Sequence, residues 1–208
     1  CTKRVHKDKP PEKMGSVMPK ACLRHFRQTT KSKMHKPIFL VGFMGSGKSH
    51  VGIKLADFLY CPFTDLDQQI ETYSQKDIKR IFAEEGEAWF RLLERRVLHN
   101  TIYKTPGIIA TGGGAPCFFD NMDWMNKRGV VIFLDPSEEV LLQRLLKGRS
   151  KRPLLNGLST ENLLAFIHQK MEERRPFYEK AAVHYIITHH EQATAEDITA
   201  QISAITGH

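Results

Sequence analysis

The 208-residue sequence lacks any apolar stretch close to the roughly 20 residues that a membrane-spanning helix needs. Its N-terminal segment also lacks the apolar core of a secretory signal peptide. Both absences predict a protein without membrane segments or membrane partners. The composition is 41% hydrophobic and 26% charged, which is typical of a globular protein. The length fits one domain, or one domain with a tail.

Cysteine is scarce, and its spacing excludes the usual cysteine-based sites. The sequence contains no CxxC pair and no spacing typical of metal ligands. The ten histidines form no HExxH pattern, so we predict no structural zinc. We expect free thiols in a reducing, cytoplasmic compartment. The four cysteines are Cys1, Cys22, Cys61 and Cys117.

The net charge of +8 is concentrated at one end of the chain. Residues 1–36 carry a balance of +9, and residues 37–208 carry −1. We predict a disordered basic extension over 1–36 and a folded domain over 37–208, because the extension has three prolines and little apolar periodicity. Its basicity leaves nucleic-acid binding by the tail as an alternative, but we expect no nucleic-acid partner for the domain. Because Met34 lies just before the first predicted strand, we expect a chain beginning at Met34 to be fully active.

Beyond residue 36, short apolar runs alternate with longer amphipathic segments. Strands are predicted at 38–41, 63–65, 107–110, 130–134 and 184–187. Helices are predicted at 49–60, 78–82, 88–102, 138–146, 161–174 and 195–205. Strands separated by helices favour a buried parallel sheet with right-handed crossovers. The predicted fold is a three-layer α/β/α domain.

The segment GFMGSGKS, residues 42–49, matches the phosphate-binding pattern G-x-x-x-x-G-K-[ST] between a predicted strand and helix. Its glycines allow successive backbone N–H groups to converge on phosphate oxygens at a helix N-terminus. Lys48 supplies a positive charge to the β- and γ-phosphates, and Ser49 offers a hydroxyl to Mg²⁺. We predict a nucleoside triphosphate site.

Asp65 ends the second predicted strand and Asp67 follows it, at the sheet edge where ligands bind in α/β folds. One carboxylate can hold Mg²⁺ while the other orients, or takes a proton from, an acceptor hydroxyl. The alternative is a helix N-cap with a solvated neighbour.

Arg91 and Glu94 lie three residues apart on one predicted helical face. The spacing alone favours a surface ion pair, which would contribute little. The alternative is an arginine beside Phe90 that clamps a substrate carboxylate.

Three consecutive glycines, residues 112–114, follow the third predicted strand. They allow the backbone to approach a ligand closely, whereas a plain tight turn needs one or two glycines.

Five basic residues fall within positions 144–152, where glycine and proline interrupt the helical pattern. A mobile lid that closes basic side chains over transferring phosphates fits this segment better than a nucleic-acid patch. Arg174 and Arg175 end a predicted helix, a position where cations are also common without function.

These segments, in this order, resemble shikimate kinase, a small-molecule kinase of the P-loop class. The resemblance covers residues 37–190 and depends on six pieces: GFMGSGKS, the Asp65–Asp67 pair, the pattern from Ile81 to Glu94, Thr111 to Gly114, RPLL at 152–155, and R-x-P-x-Y from Arg174 to Tyr178. It implies transfer of the γ-phosphoryl group of ATP to the 3-hydroxyl of shikimate, in aromatic amino-acid biosynthesis. It also implies a five-stranded parallel sheet and a mobile lid, and we expect a monomer.

The resemblance implies a role for each residue at a matching position. Lys48, Asp67 and Arg152 would be catalytic, and Ser49 and Asp65 would position Mg²⁺. The implied ATP-binding residues are Gly45, Ser46, Gly47, Lys48, Ser49, His50, Arg144 and Arg152. The implied substrate-binding residues are Asp67, Phe82, Phe90, Arg91, Gly112, Gly113, Gly114 and Arg174.

The sequence leaves four points open. His50 stands where the family usually has threonine, and Arg175 is a second guanidinium beside Arg174. A related kinase for another hydroxylated acid, such as gluconate, is the first rival. The second rival is a non-catalytic binding protein, although Lys48 and Asp67 are both present.

Overall fold

The computed structural model describes residues 36–101, 106–148, 158–187 and 198. Five strands form within these ranges: β1 (Ile38–Val41), β2 (Phe63–Asp65), β3 (Ile108–Ala110), β4 (Val130–Pro136) and β5 (Val183–Ile187). Six α-helices form as well: α1 (Lys48–Leu59), α2 (Leu66–Ser74), α3 (Ile78–Thr101), α4 (Asn121–Arg128), α5 (Glu138–Lys147) and α6 (Thr160–Tyr178). A short 3-10 helix occupies Ala115–Cys117.

The strands form one parallel sheet in the order β2-β3-β1-β4-β5. All five carboxyl ends therefore lie along the same edge, where α/β folds bind ligands. The phosphate-binding loop follows β1, the two aspartates follow or end β2, and the three glycines follow β3 closely. The predicted parallel sheet is confirmed.

The central strand β1 is buried on both faces. Successive side chains of a strand point to opposite faces. Ile38 and Leu40 belong to a core with Leu55 of α1, whereas Phe39 and Val41 belong to a second core that includes residues of the other five helices. Ile198 is buried in the first of these cores, the one that contains Leu55. The apolar strands are thus covered on both sides, which confirms the three-layer arrangement.

Several element bounds differ from the sequence prediction. Helices α2 and α4 were not predicted, and the two helices predicted at 78–82 and 88–102 form the single element α3. Its two halves meet at Gly86, whose φ of 80° and ψ of 172° break the helical geometry. Helix α6 continues past Pro176 to Tyr178, beyond the predicted end at residue 174.

Some predictions lie outside the described residues. These are the disorder predicted for the basic extension up to residue 35, the lid with Arg152, and the last helix at 195–205 apart from Ile198. Within the described ranges, no helix has the length and apolar character needed to cross a membrane.

Candidate active site

The phosphate-binding loop connects β1 to α1 in a backbone conformation that requires glycine. Gly42, Gly45 and Gly47 have φ values of 138°, 83° and 99°, a region that other residues rarely adopt. Lys48 begins α1, and its ammonium group donates hydrogen bonds to the carbonyls of Gly42 at 2.8 Å and Phe43 at 2.9 Å. The lysine therefore lies folded against the loop, beside the surface to which a phosphate would bind.

Arg144 of α5 supports the same loop from the other side. Its guanidinium donates to the carbonyl oxygens of Gly45 at 3.3 Å and Ser46 at 3.0 Å. Ser46 is fully buried, whereas His50 is exposed on the first turn of α1. The structure therefore brings together the predicted ATP-binding residues within its described ranges, and places Arg144 against the backbone of the loop.

Asp65 joins the end of β2 to both α1 and α2. Its carboxylate accepts a hydrogen bond from the Ser49 hydroxyl at 2.6 Å and another from the backbone N–H of Asp67 at 3.1 Å. The second bond makes Asp65 the N-cap of α2, so the capping alternative is correct for this residue. The first bond places two oxygen groups beside the phosphate loop.

These oxygen groups fit a divalent cation such as Mg²⁺, which prefers hard oxygen ligands. No group of three or more histidine, cysteine or acidic side chains that could hold a metal ion occurs among the described residues. A cation held by Ser49 and Asp65 would therefore take its other ligands from water and phosphate, as Mg²⁺ commonly does.

Asp67 lies in the first turn of α2. Although the residue is exposed, partial desolvation of the carboxyl by the surrounding protein raises its pKa, and the negative charge of Asp65 adds to this effect. The positive charges of Lys48 and Arg91 act in the opposite direction. A Cβ atom placed on Gly112 would lie 2.9 Å from an Asp67 carboxylate oxygen, so the aspartate lies against the glycine segment.

Arg91 and Glu94 form a buried ion pair on α3, and the surface pair favoured by spacing alone was wrong. The guanidinium donates to Glu94 at 2.7 Å and to the exposed Glu87 at 3.0 Å. Glu94 is only 1% exposed, and burial raises its pKa to about 7. The pair is buried because this face of α3 packs against Gly114, where an added Cβ would lie 2.7 Å from an Arg91 nitrogen. Spacing along a helix does not reveal such a neighbour.

The structure distinguishes the two consecutive arginines of α6. Arg175 makes a bidentate pair with Asp135 at the end of β4, with N–O distances of 2.7 and 2.9 Å. Arg174 lies with its guanidinium carbon 5.6 Å from the centre of the Phe43 ring. A Cβ on Gly113 would lie 3.7 Å from an Arg174 nitrogen. Arg174 therefore faces the glycine segment, while Arg175 joins α6 to β4.

Two aromatic rings form an apolar wall on α3. The ring centres of Phe82 and Phe90 are 4.5 Å apart. Phe90 is buried, and Phe82 remains partly exposed. The two residues lie on opposite sides of the break at Gly86, so this break helps to set how their side chains meet.

Three residues near the site were not among the predicted site residues, namely Glu94, Cys117 and Tyr178. The Tyr178 hydroxyl donates to the carbonyl of Gly113. Burial raises the pKa of the Cys117 thiol to about 11, so this group stays protonated at neutral pH. Tyr178 could have been found from its position four residues after Arg174, because residues at this spacing share a helical face.

A phosphate-binding loop, two oxygen groups that fit a cation, a carboxylate and two arginines thus lie along one edge of a parallel sheet. This combination defines a P-loop phosphotransferase whose acceptor is a small hydroxylated anion.

The chain belongs to the shikimate kinase family, since the sequence model of that family matches residues 44–206. The shikimate kinase of Bacteroides fragilis is 48% identical over 144 residues, which cover 69% of this chain and 80% of the relative. The crystal structure of shikimate kinase from Bacteroides thetaiotaomicron is 39% identical, with a TM-score of 0.74, over 83% of this chain and 99% of that chain. Shikimate kinase from Acinetobacter baumannii, solved in complex with shikimate, is 34% identical, with a TM-score of 0.70, over 84% and 95% of the two chains. The resemblance and the P-loop kinase fold are confirmed.

Proposed function

We propose that this protein transfers the γ-phosphoryl group of ATP to the 3-hydroxyl of shikimate, giving shikimate 3-phosphate and ADP, in aromatic amino-acid biosynthesis. One observation carries this proposal beyond nucleotide binding. Arg91, Arg174 and Asp67 surround the glycine segment at the same sheet edge as the phosphate loop. A carboxylated, hydroxylated acceptor suits that set of side chains.

The phosphate loop and Lys48 would hold the donor. Backbone N–H groups at the start of α1 and the ammonium of Lys48 match the negative charge of the β- and γ-phosphates. The Lys48 ammonium now donates hydrogen bonds to two carbonyl oxygens of the loop. Phosphate oxygens would replace some of these acceptors. Arg144 would act on the same phosphates through the loop that it supports.

Mg²⁺ would be held by Ser49 and Asp65, whose side-chain oxygens are already 2.6 Å apart. When bound, the cation neutralises charge that develops on the β- and γ-phosphates. The hydrogen bond from the Asp67 backbone N–H would hold the Asp65 carboxylate in place while that carboxylate binds the cation.

The acceptor would be oriented by charge on one side and by a proton acceptor on the other. Arg91 and Arg174 would bind the shikimate carboxylate, because guanidinium groups donate two parallel hydrogen bonds to a carboxylate. Asp67 would accept the 3-hydroxyl proton or hold that hydroxyl in line with the γ-phosphate. Phe82 and Phe90 would cover the apolar side of the ring.

The glycine segment would leave room for the ring hydroxyls. A Cβ at Gly112 or Gly114 would come within 3 Å of a carboxylate or guanidinium and would displace these groups. Arg152, which lies outside the described residues, would approach from the lid and stabilise charge on the transferring phosphoryl group.

A coupled ADP-release assay with ATP and Mg²⁺ tests the function. We expect release that depends on shikimate and exceeds the rates with gluconate or with no acceptor. Asp67→Asn should lower kcat by about 10²- to 10⁴-fold, the usual range for loss of acid–base catalysis, with little change in thermal stability. Equal rates with and without shikimate would contradict the proposed acceptor.

A further inference from the structure

We propose that Tyr178 is a positioning residue of the acceptor site, whose hydroxyl fixes both the glycine segment and Arg174. The inference rests on the proposed function, because it concerns the side of the site that would bind shikimate. Tyr178 is itself buried, so it would act by positioning the glycine segment and Arg174.

Tyr178 is a rigid donor at the end of α6. Its side chain is fully buried, and its ring centre lies 5.1 Å from that of Phe133. The hydroxyl donates to the carbonyl oxygen of Gly113. Burial raises the pKa of this hydroxyl, so it keeps its proton throughout the physiological range. The hydrogen bond is therefore available whenever the chain is folded.

Holding the Gly113 carbonyl also sets the direction of the next N–H group. A trans peptide is planar, with its C=O and N–H pointing in opposite directions, and no described peptide bond is cis. The bond to Tyr178 therefore directs the Gly114 N–H away from α6. Gly114 in turn lies against Arg91, so rotation of this peptide would disturb both a backbone donor and the space beside the guanidinium.

Arg174 is the second group near the hydroxyl. It precedes Tyr178 by four residues on α6, so the two side chains share a helical face, and the positive charge of Arg174 acts to lower the pKa of the hydroxyl against the effect of burial. The hydroxyl thus donates to Gly113, the same residue that the Arg174 guanidinium faces. Tyr178 therefore lies beside both the glycine segment and Arg174, the arginine proposed to bind the acceptor carboxylate.

Tyr178→Phe tests this role because it removes the hydroxyl and keeps the ring that packs on Phe133. We expect the KM and the calorimetric Kd for shikimate to rise about tenfold, the change expected for one hydrogen bond near the upper end of its usual contribution. The KM for ATP should change less than about twofold, since the phosphate loop is untouched. Tyr60→Phe, at an exposed tyrosine after α1, is the matched control and should leave both constants unchanged.

A second control separates positioning from general loss of stability. Val183→Ala truncates a buried side chain at the first residue of β5, away from the carboxyl edge, and should lower the melting temperature with an unchanged KM for shikimate. The inference is overturned if Tyr178→Phe leaves the shikimate constants unchanged. It is also overturned if this variant shifts the ATP and shikimate constants equally.

A double-mutant cycle with Arg174→Lys gives an independent readout. If the hydroxyl acts partly by orienting the guanidinium, the double variant should lose less shikimate affinity than the product of the two single losses. Fully multiplicative losses would exclude the contribution through Arg174. Wild-type protein that releases no ADP with shikimate would instead contradict the proposed function, so the two failures are distinguishable.

Discussion

Glu94 is expected to make this protein less stable as the pH rises through neutrality. Burial raises the pKa of its carboxyl to about 7 in the folded chain, even though Arg91 donates to it. In the unfolded chain the pKa returns to about 4.5. Between these values the folded state binds more protons than the unfolded state, so the stabilisation is fully present below the lower pKa and is lost as the pH rises through the upper one.

The interval between the two pKa values corresponds to about 3 kcal/mol of unfolding free energy. Glu94→Gln keeps the shape of the side chain and removes its titration. Denaturant unfolding should be measured for both proteins from about pH 5 to about pH 8. We expect the wild-type free energy, relative to that of the variant, to fall by about 2–3 kcal/mol over this range.

Glu87→Gln is the matched control, because Glu87 pairs with the same Arg91 from a position that is 58% exposed. This variant keeps Glu94 and should retain the wild-type fall in stability with pH. Parallel pH profiles for the wild type and Glu94→Gln would refute the reasoning, since they would show that the buried carboxyl does not titrate between the two states.

Three further predictions concern the acceptor side and the arginine next to it. Gly114→Ala would place a Cβ 2.7 Å from an Arg91 nitrogen, so we expect the KM for shikimate to rise and the protein to lose about 1–3 kcal/mol of stability, whereas the KM for ATP stays unchanged. Arg174→Gln should raise the KM for shikimate by about tenfold or more, the loss expected for a charge-assisted hydrogen bond. Arg175→Gln should lower stability by about 1 kcal/mol or less through loss of the partly exposed Asp135 pair, with an unchanged KM. Steady-state kinetics and thermal melts check all three, and a raised shikimate KM in Arg175→Gln would reverse the assignment of the two arginines.

Strands β1, β3 and β4 were predictable because each contains a short apolar run that is buried in the sheet, whereas β2 and β5 are only partly buried. Helix α4 was missed because its sequence, NMDWMNKR, is mostly polar and has only a weak apolar stripe. Helix α2 was considered only as the alternative explanation for Asp65, and the structure shows that capping and a contact with Ser49 coexist.

The limits of sequence reasoning are clearest at the arginines. Arg174 and Arg175 are adjacent and chemically identical, so only their contacts in the fold, with Gly113 and with Asp135, distinguish them. Arg91 was favoured as a surface residue because the approach of Gly114, a contact distant in sequence, is invisible in helical spacing. Tyr178 was placed beyond the predicted end of α6, since proline usually marks a helix boundary.

The most direct test of phosphoryl transfer to shikimate is product analysis. Purified protein, incubated with ATP, Mg²⁺ and shikimate, should be followed by ³¹P NMR for both products. We predict one shikimate 3-phosphate for each ADP formed, and neither product when shikimate is omitted. ADP formed without a phosphate ester of shikimate, or no ADP at all, would contradict the proposal.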